Sequence, residues 1–268
     1  MSTRRSAPTL QAFVLHRYDW SESSLILDVF TRERGRLAVA AKGARRPYSQ
    51  LRPVLLPFQR LALSLVRGAG GEAGGEAGTP VEVHTLRQAE WAGGLPMLAS
   101  GAGEAVFRGY YCNELVMKLL AREDAHPVVF DAYAATLPAL GGPDALHAQA
   151  ALRAFELVLL RETGVLPALD TVTLTVQPVQ PPHRYQLVPE SGVVATREEA
   201  GSLAGAELLA LHAALEAGDL ARLQAACLPA LAALRGATRV LLQAQAGQVS
   251  WRTREVMQGL RRLLDSAP

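Results

Sequence analysis

Cysteine is scarce in this chain, whose 268 residues include only Cys112 and Cys227. The N-terminal arginines are not followed by the apolar segment of a secretion signal, so two such distant cysteines indicate free thiols in a reducing compartment. Uninterrupted apolar runs of about eighteen residues, the length that a membrane span requires, are absent as well. The sequence therefore predicts a cytoplasmic protein without a membrane segment.

Motifs of several enzyme classes are missing too. There is no CxxC pair, no HExxH helix and no GxSxG turn, which excludes zinc ribbons, metalloproteases of that type and α/β-hydrolases. His212 and Glu216, four residues apart on a predicted helix, and Asp28, within an apolar strand, are the only candidates for a metal-dependent enzyme acting on nucleic acid. Neither supplies a full ligand set. No catalytic residue, metal or cofactor is therefore predicted, and the metal-dependent enzyme stays an alternative.

Acidic residues are rare at the N-terminal end. Residues 1–60 contain 11 Lys or Arg and 4 Asp or Glu, whereas residues 61–268 contain 16 and 21. The formal net charge of +2 hides this division. A basic N-terminal part on an acidic remainder predicts that one region of the protein binds a polyanion.

The N-terminal part contains a basic β-hairpin. Apolar residues alternate with their neighbours over 25–30 and again over 36–42, on either side of a turn at Gly35. Alternation with a period of two around a glycine-containing turn is typical of a hairpin. If the apolar side chains face a core, Arg36 and Lys42 share the opposite face.

Three further segments have strand-like patterns, at 10–17, 61–65 and 81–85. Five short strands with a basic face predict a five-stranded OB-fold barrel over residues 1–95. A tandem GGEA repeat at 70–77 lacks the Gly-Lys-Ser/Thr ending of a P-loop, and its glutamates would repel phosphate. We interpret it as a flexible hairpin insertion.

Helical patterns replace the alternation after residue 101. Helices are predicted at about 104–120, 127–140, between an Asp144 N-cap and a Gly164 C-cap, and at 206–217, 219–234, 236–246 and 252–265. A proline-rich segment at 165–200 interrupts them, with β-prone runs at 171–176 and 184–188. The predicted fold class is α+β, with an OB-fold domain at 1–95 and a mostly helical domain at 96–268.

Phosphate contacts are predicted for the basic residues in and around the hairpin: Arg17, Arg32, Arg34, Arg36, Lys42, Arg45, Arg46 and Arg52. Such contacts bind nucleic acid with little sequence preference and weaken with salt. Trp20 and Tyr48 are candidates for stacking on bases. A second basic group near the C-terminus comprises Arg252, Arg254, Arg261 and Arg262. The sequence does not show whether it contacts the same nucleic acid as the hairpin residues.

Several motifs, taken in order, resemble one family. They are Glu-Ser-Ser at 22–24, Phe-Thr through Gly at 30–35, Lys-Gly-Ala-Arg-Arg at 42–46, Leu-Pro-Phe at 56–58, YYCNEL at 110–115, His-Pro at 126–127 with FDAY at 130–133, LRAFEL at 152–157 and WRTR at 251–254. Together they resemble the RecO family of bacterial DNA repair proteins, which are recombination mediators. The resemblance covers nearly the whole chain. Many members carry a four-cysteine zinc motif in the irregular region, and its absence at 165–200 implies the zinc-free form.

The resemblance implies a non-enzymatic function. RecO-like proteins bind single- and double-stranded DNA, anneal complementary strands, engage the C-terminal tail of single-strand-binding protein and act with RecR to load the RecA recombinase, in the cytoplasm at the nucleoid. An acidic tail with an apolar end would suit an apolar surface flanked by basic residues. The predicted residues for that contact are Phe107, Arg108, Tyr111 and Arg122. An RNA-binding OB-fold protein of translation or ribosome assembly remains the other alternative.

Overall fold

The computed structural model describes residues 8–66, 71–74, 80–94, 103–247, 251–253 and 255–256. The chain divides into two compact units, Met1–Ala134 and Ala135–Pro268. Within the described residues the first unit is built on a β-barrel, and helices dominate the second. The predicted domain boundary near residue 95 falls just before a gap in the described residues and stays a prediction.

Five strands form the barrel, in the order β3-β2-β1-β4-β6. They are β1 (Leu10–Asp19), β2 (Leu25–Thr31), β3 (Gly35–Ala41), β4 (Arg60–Leu65) and β6 (Pro80–Trp91). Neighbours are antiparallel, and a short parallel pairing of β3 with β6, from Ala38 opposite Val83 to Ala40 opposite Thr85, closes the sheet. The predicted OB-type barrel is confirmed, with β1 and β6 longer than the sequence pattern indicated.

Alternating apolar residues fill the barrel, as the period of two predicts. Leu27, Val29, Leu37 and Val39 belong to one buried cluster with inward residues of β1 and β4. The opposite faces are not left to solvent, however, because every residue of β3 is buried. The outer face of the hairpin is therefore covered in the first unit.

The GGEA repeat forms part of a hairpin. Its first half is β5 (Gly71–Gly74), which pairs antiparallel with the start of β6, Gly74 lying opposite Pro80. Residues 75–77 of the repeat lie outside the described residues. The insertion therefore extends the barrel sheet by one short strand beyond β6.

Two helices follow the barrel, α1 (Gly103–Leu119) and α2 (Pro127–Leu140), and the division between the units falls within α2. On α1, the buried Asn113 donates from Nδ2 to the carbonyl of Leu15 in β1 at 2.9 Å, and accepts from the hydroxyl of Tyr133. The ring of Tyr133 lies 5.0 Å from that of Phe13. Burial raises the pKa of Tyr133 well above its usual value. The first unit is thus a barrel with helical elements packed on its outer face.

The second unit contains α3 (Ala145–Glu162), α4 (Gly205–Glu216), α5 (Leu220–Cys227) and α6 (Leu231–Ala246). Asp144 caps α3 as predicted, accepting from the main-chain nitrogens of Leu146 and His147. The predicted helix at 219–234 and the predicted start of the next helix at Gly236 are wrong. The chain turns at residues 228–230, where Pro229 has no N–H to donate, and Gly236 lies inside α6.

The irregular segment carries five short strands: β7 (Thr171–Val172), β8 (Gln177–Pro178), β9 (Arg184–Val188), β10 (Gly192–Thr196) and β11 (Leu203–Ala204). Apolar packing and side-chain hydrogen bonds hold it together. Tyr185 and Val193 are buried, and the guanidinium of Arg184 donates to the hydroxyl (2.7 Å) and carbonyl (3.0 Å) of Ser202. Residues 165–200 contain no cysteine, so contacts of this kind organise the segment.

Among the described residues, no single helix is both long and apolar enough to cross a membrane. The pair α5 and α6 reaches that length and composition only when taken together across a bend of 111°.

Candidate nucleic-acid interface

Two loops meet at one end of the barrel, the β1–β2 loop at 20–24 and the β3–β4 loop at 42–59. The main-chain nitrogen of Arg45 donates to the carbonyl of Ser23 at 3.0 Å, and its guanidinium donates to the carbonyl of Ser21 at 2.9 Å. Arg17, near the end of β1, donates to the carbonyl of Leu55 at 3.3 Å. These bonds hold the two loops side by side. We call this surface the loop face: it carries Arg17, Tyr18, Trp20, Lys42, Arg45, Arg46, Tyr48 and Arg52.

Buried apolar residues anchor the longer loop to the barrel core. Ala44, Leu55 and Phe58 are each at most 1% exposed. Between these anchors the chain makes successive turns, because the prolines of this stretch prevent a regular helix. The charged residues between the anchors therefore point to solvent from a main chain that is fixed at both ends.

The loop face is basic because acids are missing from its longer loop. Residues 42–59 contain four Lys or Arg and no Asp or Glu. Lys42, Arg46 and Arg52 are exposed, and in the described part of the chain no acidic side chain pairs with any of them. Arg45 of this loop is paired, with Asp19 at 3.3 Å. At least three cations are thus left to attract an anionic ligand.

Exposed aromatic rings accompany these cations. Tyr48 is 95% exposed and Trp20 56% exposed. Tyr18 is also exposed, and its ring meets that of His16 edge to face at 4.4 Å. Tyr18 was not among the predicted stacking residues, because the strand was expected to end at residue 17, whereas β1 continues to Asp19. Exposed rings beside cations are the arrangement on which the bases of a single strand stack.

The arginines at the turn between β2 and β3 contact acidic side chains, unlike the three free cations of the loop face. Arg32 donates twice to Asp131, at 2.8 and 2.9 Å, and this hydrogen-bonded anion raises the pKa of its guanidinium. Arg34 lies 3.7 Å from Glu123 and 3.4 Å from the imidazole of His84. These two arginines therefore contact acidic residues of the elements that follow the barrel.

Arg36 is buried, and the expectation that it is exposed on the outer face with Lys42 is wrong. Its guanidinium donates to Asp28 at 2.9 Å and to the carbonyls of Met117 and Leu120, at the C-terminal end of α1. A cation at this end of a helix satisfies carbonyls that lack a helical partner and is favoured by the helix dipole. Arg36 thus binds the helix to the barrel within the first unit.

Asp28 is the centre of a buried ionic cluster. Its Oδ2 atom accepts from Arg36 and, at 2.6 Å, from Arg122, and only 2% of its side chain is exposed. Among the described residues, the other carboxylate oxygen of Asp28 and the Nε atom of Arg36 have no hydrogen-bond partner. Asp28 therefore pairs with arginines, and its contacts are not those of a metal ligand.

Two of the four residues predicted to bind a partner tail are paired with acids. Arg108 pairs with Glu104 at 2.8 Å and Arg122 pairs with Asp28. Phe107 and Tyr111 are half-buried on α1. Of this predicted set, the two aromatic residues share a face with Arg108, while Arg122 belongs to the buried cluster.

Two further predictions concern the second unit. His212 lies 3.5 Å from Asp170, and Glu216 lies 3.0 Å from Arg161, so these neighbours on α4 contact different partners and are not joined in one metal site. Arg252 is exposed, next to Trp251, whose Nε1 atom donates to Gln243 on α6. Arg254, Arg261 and Arg262 lie outside the described residues.

Comparison with known proteins covers almost the whole chain. Residues 6–73 match the family model for the recombination protein O N terminal domain, and residues 102–255 match the model for its C terminal domain. The chain is 47% identical over 261 residues to the DNA repair protein RecO of Variovorax paradoxus, covering 94% of this chain and 96% of the relative. It is 46% identical over 267 residues to the DNA repair protein RecO of a Polaromonas species, covering 98% of this chain and all of the relative.

The first unit is a closed OB-type barrel with a basic loop face, and helices follow it along the chain. Together with these comparisons, this fold places the chain among DNA repair proteins built on an OB-fold. Within that class it belongs to the RecO family, as the motifs of its sequence predicted.

Proposed function

We propose that this chain binds single- and double-stranded DNA through the loop face and anneals complementary strands. The observation that carries the proposal is the set of three exposed cations, Lys42, Arg46 and Arg52, with no acidic partner in the described structure. The nearly fully exposed ring of Tyr48 lies on the same loop. Cations bind phosphates without regard to sequence, and an exposed ring adds stacking on a base.

Annealing follows from the same charge distribution. Two complementary strands repel each other through their phosphates, and neutralisation on a basic surface reduces that repulsion. A protein that contacts mainly the backbone leaves most base edges free for pairing. We therefore assign the loop face a role in bringing strands together, with no catalytic step.

The cation count sets the salt dependence. Each phosphate that is neutralised on a single strand contributes about −0.7 to the slope of log affinity against log salt concentration. The three free cations of the longer loop give an expected slope of roughly −2. Arg36 is left out of this set because it is buried, and Arg32 and Arg34 because acids already neutralise them.

The remaining partners are proposed from membership of the family. They are RecR, the C-terminal tail of single-strand-binding protein and, through these, the loading of RecA at the nucleoid. Phe107, Arg108 and Tyr111 on α1 are retained as the proposed contact for the tail. Its acidic residues would then compete with Glu104 for Arg108.

A strand-annealing assay tests the proposal. Two complementary fluorescent oligonucleotides, coated with single-strand-binding protein, are mixed with the protein over a series of salt concentrations. The triple variant Lys42→Ala/Arg46→Ala/Arg52→Ala should lose annealing and flatten the salt slope of binding by about 2. Its matched control, Arg87→Ala/Arg197→Ala/Arg222→Ala, removes the same charge from exposed positions elsewhere and should retain both.

The outcomes separate the alternatives. Equal losses in the two triple variants would mean that net charge, and not the loop face, drives binding. Binding without annealing would reduce the protein to a general OB-fold binder, and tighter binding to single-stranded RNA than to DNA would favour an RNA-binding function. Cleavage of the oligonucleotides on addition of Mg²⁺ or Mn²⁺ would overturn the non-catalytic assignment.

A further inference from the structure

Three side chains with metal-binding groups converge away from the loop face. Glu82 and His84 stand two residues apart on β6, a spacing that puts both side chains on one face of a strand. Glu123 reaches them from the chain between α1 and α2. Taking one ligand atom from each residue, all three atoms lie within 4.8 Å of one another. His84 and Glu123 are 39 residues apart in the sequence, so no local sequence motif indicates this group.

Two of the three side chains are held in place. The side chain of His84 is 9% exposed, and its strand is fixed opposite Val39 where β3 and β6 close the barrel. The main-chain nitrogen of Glu123 donates to the carbonyl of Arg36 at 2.9 Å. This bond fixes the point from which the carboxylate of Glu123 reaches the imidazole, with Oε1 at 3.0 Å from Nε2.

The chemistry of the group is that of a divalent transition-metal ligand set. Imidazole nitrogen and carboxylate oxygen both suit Zn²⁺, at about 2.0–2.2 Å from the ion, and ligands around a tetrahedral zinc ion lie roughly 3.3 Å apart. The Nε2–Oε1 separation of 3.0 Å is near that value. Glu82 lies 3.7 Å from Nδ1, and its side chain is 57% exposed, so it is free to turn toward the ion. We propose that Glu82, His84 and Glu123 bind a divalent transition-metal ion, with water completing the coordination.

Arg34 competes for the same position. Its guanidinium lies 3.4 Å from Nε2 of His84 and 3.7 Å from a carboxylate oxygen of Glu123. It is a single positive charge beside two carboxylates, so the cluster remains net negative and favours a divalent ion. Its side chain is 41% exposed, and ion pairs at such positions are weak. Metal binding would therefore displace Arg34 into solvent.

Equilibrium dialysis of the untagged full chain against Zn²⁺ tests the site. Bound metal is measured by atomic emission, and the dissociation constant is compared among four variants. Glu123→Gln and His84→Gln should each weaken binding at least tenfold, since even the loss of groups that only orient a ligand costs about 10–100-fold. His147→Gln removes an exposed histidine that pairs with Asp144 elsewhere, and it should leave the dissociation constant unchanged.

Arg34→Gln gives the sharpest readout, because it should tighten Zn²⁺ binding about tenfold by removing a positive charge close to the ion. A purely structural role for Arg34 predicts no such gain. The proposal is overturned if less than one equivalent of Zn²⁺ binds at saturation, or if His147→Gln weakens binding as much as Glu123→Gln. Weaker binding by Arg34→Gln would also overturn it. Because Glu123 is exposed, Glu123→Gln keeps the test valid even if His84→Gln fails to fold.

Discussion

Substituting Arg36 and Arg46 separately should distinguish an arginine that holds the first unit together from one that is free to bind DNA. Arg36→Met keeps the length of the side chain but removes every donor. Among the described residues, it leaves Asp28, 2% exposed, with Arg122 as its one remaining partner. It also leaves two carbonyls at the C-terminal end of α1 without this donor. Arg46→Met is the matched control, because it makes the same chemical change at an exposed residue.

The structure sets the expected size of the effect. Removing one partner of a buried ion pair costs about 3–5 kcal/mol, because the other charge is left buried without compensation. Arg122 still contacts Asp28 and is partly exposed, so we expect the lower end of that range, about 3 kcal/mol in the free energy of unfolding. For a chain of this size that corresponds to a fall in Tm of roughly 6–12 °C. Arg46→Met should change stability by no more than about 0.5 kcal/mol.

Urea and thermal unfolding, followed by circular dichroism, measure stability, and fluorescence anisotropy with a labelled oligonucleotide measures DNA binding. Arg36→Met should lose stability and retain its affinity per folded molecule, whereas Arg46→Met should do the reverse. The double variant Asp28→Asn/Arg36→Met should be more stable than the sum of the single changes predicts, by about 0.5–3 kcal/mol. A stable Arg36→Met variant with weakened DNA binding would refute this reasoning and restore Arg36 to the phosphate contacts.

Three further outcomes are expected. Gly35→Ala should destabilise the first unit, seen as a lower Tm, because Gly35 has φ +69° and a Cβ atom there would lie 1.8 Å from the carbonyl oxygen of Asp124; an unchanged Tm would contradict that close approach. Burial raises the pKa of Cys227 to about 12, so iodoacetamide should alkylate it only in unfolded protein, and rapid labelling of the native chain would be the contrary result. Hydrogen bonds from the main chain and ring of His147 lower the pKa of Asp144 from its usual 3.8, so its contribution to stability is complete above that pH and is lost as the pH falls through the lowered pKa. Urea midpoints of the parent and Asp144→Asn should therefore converge on acidification below pH 4, and a constant difference would contradict the cap.

The sequence predicted those parts of the fold that depend on local patterns. Alternation located the strands of the hairpin, and Asp144 marked the start of α3 because capping is a local interaction. The break at Pro229 was missed, since a helical pattern continues on both sides of it. The next helix was wrongly predicted to begin at Gly236. That residue lies inside α6, where tertiary packing outweighs the weak helix propensity of one glycine.

The site was predicted less completely, and the reason is physical. Charge counting indicated that the N-terminal part is basic, but it cannot tell a free arginine from one that is paired with an acid distant in sequence. Arg32 is paired with Asp131, 99 residues away, and Arg36 reaches the carbonyls of Met117 and Leu120 at the end of α1. Such pairings depend on how α1 and α2 pack on the barrel, which no local pattern in the hairpin reports.

The three-residue parallel contact between β3 and β6 also has a consequence for the order of folding. Residues 38–40 can pair with residues 83–85 only after β6 has been synthesised. A nascent chain that ends before β6 therefore has an unpaired β3 edge. The entropy of closing such a loop grows only with the logarithm of its length, so doubling the loop costs about 0.6 kcal/mol. Extra residues between β4 and β6, such as the GGEA repeat, therefore cost the finished barrel little, while they lengthen the time during synthesis in which the open edge of β3 needs protection from aggregation.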